Sequence, residues 1–248
     1  MIAKAISRIA SALADYGLLN SALYGLQRAL QRLAPETVVE RLYIVAQPVP
    51  AAATGSPRRG QNIQVRRITT GDPAIRIFTR YPDEIADRFA QGAVCLGAFR
   101  GDELLGWLWF VPGVFRDFVH PVSFALRPAS TLAWDFDVYV RPDARLSAAF
   151  ARLWEAGFAE LRARGIAQSL SAISAYNPAS LRAHRRLGTE PFGSILVLRL
   201  GRIRAVLSLA FRPHLQWSLN TDFRAVLPID APPRPDRVAG YVGSSPRA

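Results

Sequence analysis

The feature that most constrains this chain is the regular alternation of elements in its second half. LAWDFDVYV (132–140) has strand character and leads into a helix over 146–164. Gln168 to Tyr176 is a second strand leading into a helix over 178–187, and SILVLRL (194–200) is a third strand. The first of these helices is the clearest in the chain. Phe150, Leu153, Trp154, Gly157, Phe158 and Leu161 form one apolar stripe at helical spacing, and Gly165 closes it. This order predicts an α/β fold: a central mixed sheet with helices on both faces, three layers in all.

Upstream, residues 82 to 91 are predicted helical, and CLGAFRGDELLGWLWFV is a hairpin turning at Gly101–Asp102. Residues 112 to 131 form a Pro- and Phe-rich insertion whose aromatics line an acceptor pocket or plug one end of the sheet. At the start, residues 3–14 and 18–33 are two predicted helices. In the second, Leu19, Leu23, Leu26, Leu30 and Leu33 make a stripe beside Gln27, Arg28, Gln31 and Arg32. Core packing is the expected use of that stripe. Peripheral contact of residues 1–33 with an anionic membrane is the alternative. The expected organisation is an N-terminal helical extension and strand (1–48), a Pro/Gly/Ser-rich linker (49–62) and a core α/β domain (63–202). A C-terminal extension (203–230) and a disordered tail (231–248) follow.

Composition narrows the classes. Half of the 248 residues are hydrophobic, enough for a sizeable core. The one cysteine, Cys95, sits in an apolar run and excludes an internal disulfide framework. Three scattered histidines show no ligand spacing, so no metal is expected. The net charge of +12 favours acidic partners such as phosphate-bearing substrates, lipid headgroups or an acidic carrier protein. The dispersed arginines disfavour nucleic acid. No run of 18 uncharged apolar residues is present, and the first residues lack a signal-peptide arrangement. The expected location is cytoplasmic, with association at the inner membrane face as an option.

Three elements can carry chemistry. The turn after 132–140 offers backbone amides at a helix start, with Arg141 and Arg145 beside it, as an anion site. Period-two alternation puts Asp135, Asp137 and Tyr139 on one face of the strand, away from Trp134, Phe136, Val138 and Val140. One of the two acids is a candidate general base, with a salt bridge as the competing account. Asn177 is placed as a helix N-cap, Pro178 as the first helical residue and Ser180 in the first turn; His184 follows two turns on.

The stretch 93–200 resembles the GCN5-related N-acetyltransferase (GNAT) superfamily. Its V-x-P is matched by Val140–Arg141–Pro142, and its R/Q-x-x-G-x-G/A turn by Arg145–Leu146–Ser147–Ala148–Ala149–Phe150. Its N-x-x-(A/S)-x-x-x-Y-x-x-x-G-F motif is matched by Asn177 to Thr189, with Ser180 and His184 at the A/S and Y positions. The resemblance implies acetyl-CoA or another acyl thioester as co-substrate, with no permanently bound cofactor. Arg145 to Phe150 would then hold pyrophosphate, Asn177 would lie near the pantetheine arm, and Val138, Val140 and Ser180 would also bind the co-substrate. His184 would protonate the departing thiolate, and Asp137, with Asp135, would face an amine or hydroxyl acceptor. Ala148 and Phe150 depart from the family's small residues. This departure leaves acyl-carrier protein as a competing donor, and a non-catalytic binding module as the alternative reading. The basic helices and the aromatic insertion point to a bulky or lipid-like acceptor, small molecules included.

Overall fold

The computed structural model describes residues 2–52, 60–78, 82–145, 147–186 and 189–232. The expected disordered tail lies, but for 231 and 232, outside the described residues. Among the described residues, four α-helices and twelve strands occur, beginning with α1 (Ile2–Gln31), β1 (Val38–Pro48), β2 (Gln64–Ile68), α2 (Pro82–Ala90), β3 (Val94–Arg100), β4 (Glu103–Pro112), β5 (Val114–Arg116) and β6 (Val122–Arg127). They continue as β7 (Leu132–Val140), α3 (Ala149–Ala163), β8 (Gln168–Ser174), α4 (Pro178–Arg186), β9 (Glu190–Leu200), β10 (Ile203–Ser208), β11 (Leu215–Ser218) and β12 (Ala225–Asp230). Gly17, at φ 75° and ψ 169°, divides α1 into the two expected helices.

Nine strands form the main sheet in the order β11-β10-β9-β1-β8-β7-β4-β3-β2. Beside it lies a small sheet, β12-β6-β5. One face of the main sheet packs Trp107, Trp109, Trp134 and Phe136 against Ile85 of α2 and against Phe115 and Phe124 of the small sheet. The other face packs Leu105, Leu108 and Phe110 against Leu153, Trp154, Phe158 and Leu161 of α3. This is the expected three-layer arrangement.

Two expectations are corrected by this topology. β1 is no extension: it is hydrogen-bonded on both edges, antiparallel to β8 and to β9. The linker after it therefore joins two parts of one sheet. A strand with apolar residues on both faces needs two cover layers, and the sheet interior supplies them. The segment 203–230, ambiguous by sequence, contributes β10, β11 and β12, and β12 pairs in parallel with β6 of the insertion.

The third correction concerns β7. Trp107 faces Tyr139 and Trp109 faces Phe136, so Asp137 and Val138 together oppose Leu108. This is a β-bulge, and Asp137 takes it up at φ 48°, a left-handed conformation that Asp tolerates better than most residues. The extra residue reverses the side-chain alternation beyond it. Asp135 and Asp137, expected on one face, project to opposite faces of the sheet. Gly106 permits the bulge, because a Cβ there would run into the Tyr139 carbonyl.

Candidate active site

Among the described residues, β7 and β8 are the one parallel pair in the main sheet, and they pair only over Leu132–Trp134 with Gln168–Leu170. Both strands continue past that point without pairing to each other. The sheet thus opens at its centre, and the two carboxylates of β7 stand on either side of the opening.

On the α3 side, Asp135 is buried and accepts a 2.5 Å hydrogen bond from Ser169 Oγ. Burial pushes the Asp135 pKa up, against the pull of nearby His184 and of hydrogen bonds from Ser169 and Ser171. His184 is buried on α4, edge-on to Trp154 at 6.4 Å between ring centroids. Its Nδ1 lies 2.9 Å from the Ser180 carbonyl, which requires a proton on Nδ1. Nε2 has no partner among the described residues, and the same holds for buried Thr189 Oγ1, Trp154 Nε1 and the Gln47 side-chain amide. Several orphaned polar atoms in one buried region fit a polar ligand such as the amide-bearing pantetheine arm. Asn177 Oδ1 accepts the Ser180 N–H at 3.0 Å and so caps α4, as its position in the sequence implies. Ser180 meets His184 through its backbone carbonyl.

The turn before α3 is arranged differently from a bare phosphate cradle. Ser147 Oγ donates to the Ala144 carbonyl at 2.6 Å and accepts the Ala149 N–H at 3.2 Å. One of the amides expected to hold pyrophosphate is therefore capped internally, by a bond long enough to exchange. Gly60 lies directly on Ala148, and the Phe150 ring turns toward Trp154, 6.4 Å away, into the α3-side core. Arg145 is exposed and reaches back to the Val140 carbonyl at 3.4 Å. Val138 and Val140 pack on the α3-side core. Leu146 lies outside the described residues.

On the α2 side, Asp137 Oδ2 accepts from Arg88 Nη1 at 2.6 Å and from Trp107 Nε1 at 3.3 Å. Arg88 is buried, bonds Glu84 at 2.5 Å, and lies about 5 Å from the Trp109 and Phe136 rings. A cavity of about 170 Å³ opens here. Its walls carry Glu84, Asp87, Asp117 and Asp137 against Arg88, Arg116 and His120. Trp134 and Phe136 from β7 and Ala172 from β8 place it at the sheet opening. The 112–131 insertion does wall this cavity, through Phe115 to His120. It does so on the face opposite His184, whose ring packs beside α3.

His120 bridges Asp117 (3.0 Å) and Glu40 of β1 (3.1 Å). Burial opposes its charge, but the two carboxylates outweigh that and raise its pKa to about 10. Glu40 and Asp117 are in turn held low despite their own burial. Sequence reasoning missed Arg88, Glu84 and the His120 bridge. Glu84 and Arg88 did leave a trace, as an i,i+4 pair flanking the apolar Ile85 and Phe89. Asp117 lies only three residues from His120, but the bridge itself left no trace, because its other partner, Glu40, is 80 residues away in the chain.

The model of the Acetyltransferase (GNAT) family matches residues 64–189, just over half of the chain. The chain belongs to this family of acetyltransferases, whose general chemistry is acyl transfer from acyl-CoA. No curated protein matches it. Among solved structures it is similar to a putative GNAT-family acetyltransferase from Novosphingobium aromaticivorans, at 18% identity over 64% of this chain and 65% of that one, TM-score 0.42. It is also similar to a tandem GNAT protein from the clavulanic acid biosynthesis pathway, at 16% identity over 68% and 56%, TM-score 0.45. The chain thus spans less than two thirds of either structure.

Proposed function

We propose that this protein transfers an acyl group from a pantetheine thioester to a primary amine. The thioester lies in the opening between β7 and β8, and the amine enters from the α2-side cavity. The observation that carries the reading is the charge of that cavity. In a protein of net +12, its walls hold four carboxylates against three cations, an excess of one negative charge. Such a site concentrates an ammonium and disfavours an anionic acceptor.

The bound ammonium first gives one proton to water, and the freed amine nitrogen attacks the thioester carbonyl; the C–N bond forms, and the C–S bond breaks as the tetrahedral intermediate collapses. Backbone N–H groups of β7 beyond its last pair with β8 polarise the carbonyl oxygen. Asp137 orients the amine, whose proton leaves to water. His184 Nε2 delivers a proton to the departing sulfur and takes its replacement from water, with the ring held by its Nδ1 contact to the Ser180 carbonyl. The internally capped turn before α3 favours a second donor, an acyl-carrier protein, because that donor brings pantetheine without requiring the pyrophosphate turn. The basic surface suits such an acidic partner.

The test is thiol release from acetyl-CoA, long-chain acyl-CoA and acyl-carrier protein, each with amine and hydroxyl acceptors, for the wild type and for His184→Gln and Asp137→Asn. The expected result is amine-dependent release, falling about 10²-fold or more in His184→Gln, with Asp137→Asn acting mainly on acceptor KM. Release that needs no acceptor amine, or that survives both substitutions, would remove the assignment.

A further inference from the structure

α1 turns a polar face toward the protein. Tyr16, Asn20, Tyr24, Gln27 and Gln31 recur at spacings of four, four, three and four, which makes one helix face. Toward its C-terminal end this face is satisfied: Gln27 Oε1 accepts the Val39 N–H at 2.9 Å, and Gln31 Nε2 donates to the Thr37 carbonyl at 3.0 Å. Around Asn20 it is not. The Asn20 side chain is buried, and its Nδ2 donates to the Tyr16 carbonyl at 2.8 Å and to Tyr43 Oη at 3.0 Å. With both amide protons engaged, Oδ1 is left buried without a donor among the described residues. An orphaned buried acceptor is costly and calls for a group that donates to it. Tyr43 Oη accepts from Asn20 and so keeps its own proton for another acceptor.

Tyr16, Asn20 and Tyr43 line a cavity of about 360 Å³ between α1, β1 and α4. From α4 come Pro178, Leu181, Arg182 and Arg185, whose spacings of three, one and three put them on one face of the helix. Ser180 and His184 occupy a different face of α4, so this cavity stands apart from the thioester opening. Arg182 and Arg185 are exposed, and neither makes an ion pair or a hydrogen bond with a described residue. In this they differ from Arg88, Arg116 and Arg141, each of which is held by a carboxylate. No acid is found among the described residues that line the cavity. Its charge is thus opposite in sign to that of the α2-side cavity, where carboxylates are in excess.

Charge and hydrogen bonding together identify the class of ligand. Two guanidinium groups on one helix face match the dianion of a phosphate monoester, whereas a monocarboxylate would leave one cation over. A phosphate dianion carries no proton to give to Asn20 Oδ1, so the donor must sit on the body of the ligand, as a hydroxyl or an N–H. The Tyr43 hydroxyl is free to donate to an oxygen of the same body. The cavity has room for that body beside the phosphate, and Leu181 and Pro191 give it apolar wall. We infer that the α1–α4 cavity is a second ligand site, which takes a small phosphate monoester bearing hydroxyl or N–H groups. The phosphate sits on Arg182 and Arg185, and a donor of the ligand body meets Asn20.

The experiment is titration calorimetry of the full chain at pH 7.5, where a phosphate monoester is largely a dianion. Ribose 5-phosphate is the probe, compared with ribose, inorganic phosphate and gluconate, and the titration is repeated with CoA at saturation. Ribose 5-phosphate is expected to bind one site at least about 10-fold more tightly than inorganic phosphate or gluconate, and ribose not to bind. Arg182→Gln and Arg185→Gln are each expected to weaken binding about 10-fold, and Asn20→Leu about 5-fold. Because Asn20 also ties α1 to Tyr43, its variant is read only if it folds. The two exposed arginines carry the test by themselves, and an unchanged thermal midpoint checks their variants. CoA distinguishes the two sources of a phosphate monoester: undiminished affinity in its presence is expected. Displacement by CoA would give the arginines to the thioester donor and overturns the inference. So does failure of ribose 5-phosphate to bind, affinity no better than that of inorganic phosphate, or binding indifferent to both arginine substitutions.

Discussion

The His120 bridge makes a pH-dependent clamp between β1 and the insertion, and its contribution can be worked from the structure. Its folded pKa of about 10 lies above the ordinary value of 6.5. The folded state therefore keeps a proton that the unfolded chain has released, and stability falls as pH rises. The contribution is fully present below pH 6.5 and is lost as pH passes through about 10. At 1.36 kcal/mol per decade this interval sets a ceiling of about 5 kcal/mol. The 13% exposure of the side chain leaves only part of that to be lost to solvent screening. Against a total domain stability of about 5–15 kcal/mol, such a loss is large. Urea titrations followed by tryptophan fluorescence at pH 6, 7, 8, 9 and 9.5 measure it directly. Wild-type stability is expected to decline by about 1 kcal/mol per pH unit between 7 and 9.5, and His120→Gln to be less stable at pH 6 and nearly flat. The same slope in both proteins, or a flat wild-type profile, would refute the assignment of the charge to His120.

Two further substitutions probe the frame of the site. Arg88→Met leaves Glu84 and Asp137 buried without their cation and should cost about 3–5 kcal/mol by denaturant titration. Glu84→Gln in the same chain should recover part of the loss. Gly106→Val drives a side chain into the Tyr139 carbonyl at the β7 bulge. It is expected to cost about 2–4 kcal/mol and to lower the thermal midpoint by about 5–15 °C, with acceptor binding weakened in the protein that still folds.

The elements that alternate in the second half of the chain were legible because their signals are local. The α3 stripe of Phe150, Leu153, Trp154 and Leu161 needs only 3.6-residue periodicity, and the Asn177 cap only its own first turn. That His184 lies near enough to Asp135 to act on its carboxyl could be anticipated only as membership of one cleft. Tertiary structure decided the rest. The bulge at Asp137 depends on the register between β7 and β4, and that register sent two acids expected together to opposite faces. The place of β1 between β8 and β9 depends on strands more than 100 residues away. The expected leucine stripe does not enter the core: Leu19, Leu26 and Leu33 are exposed and Leu23 and Leu30 half-buried, because Tyr43, Val39 and Thr37, none of them in the helix, hydrogen-bond to its polar side. Periodicity identifies an apolar stripe, but the partners available in three dimensions determine which side of a helix meets the protein.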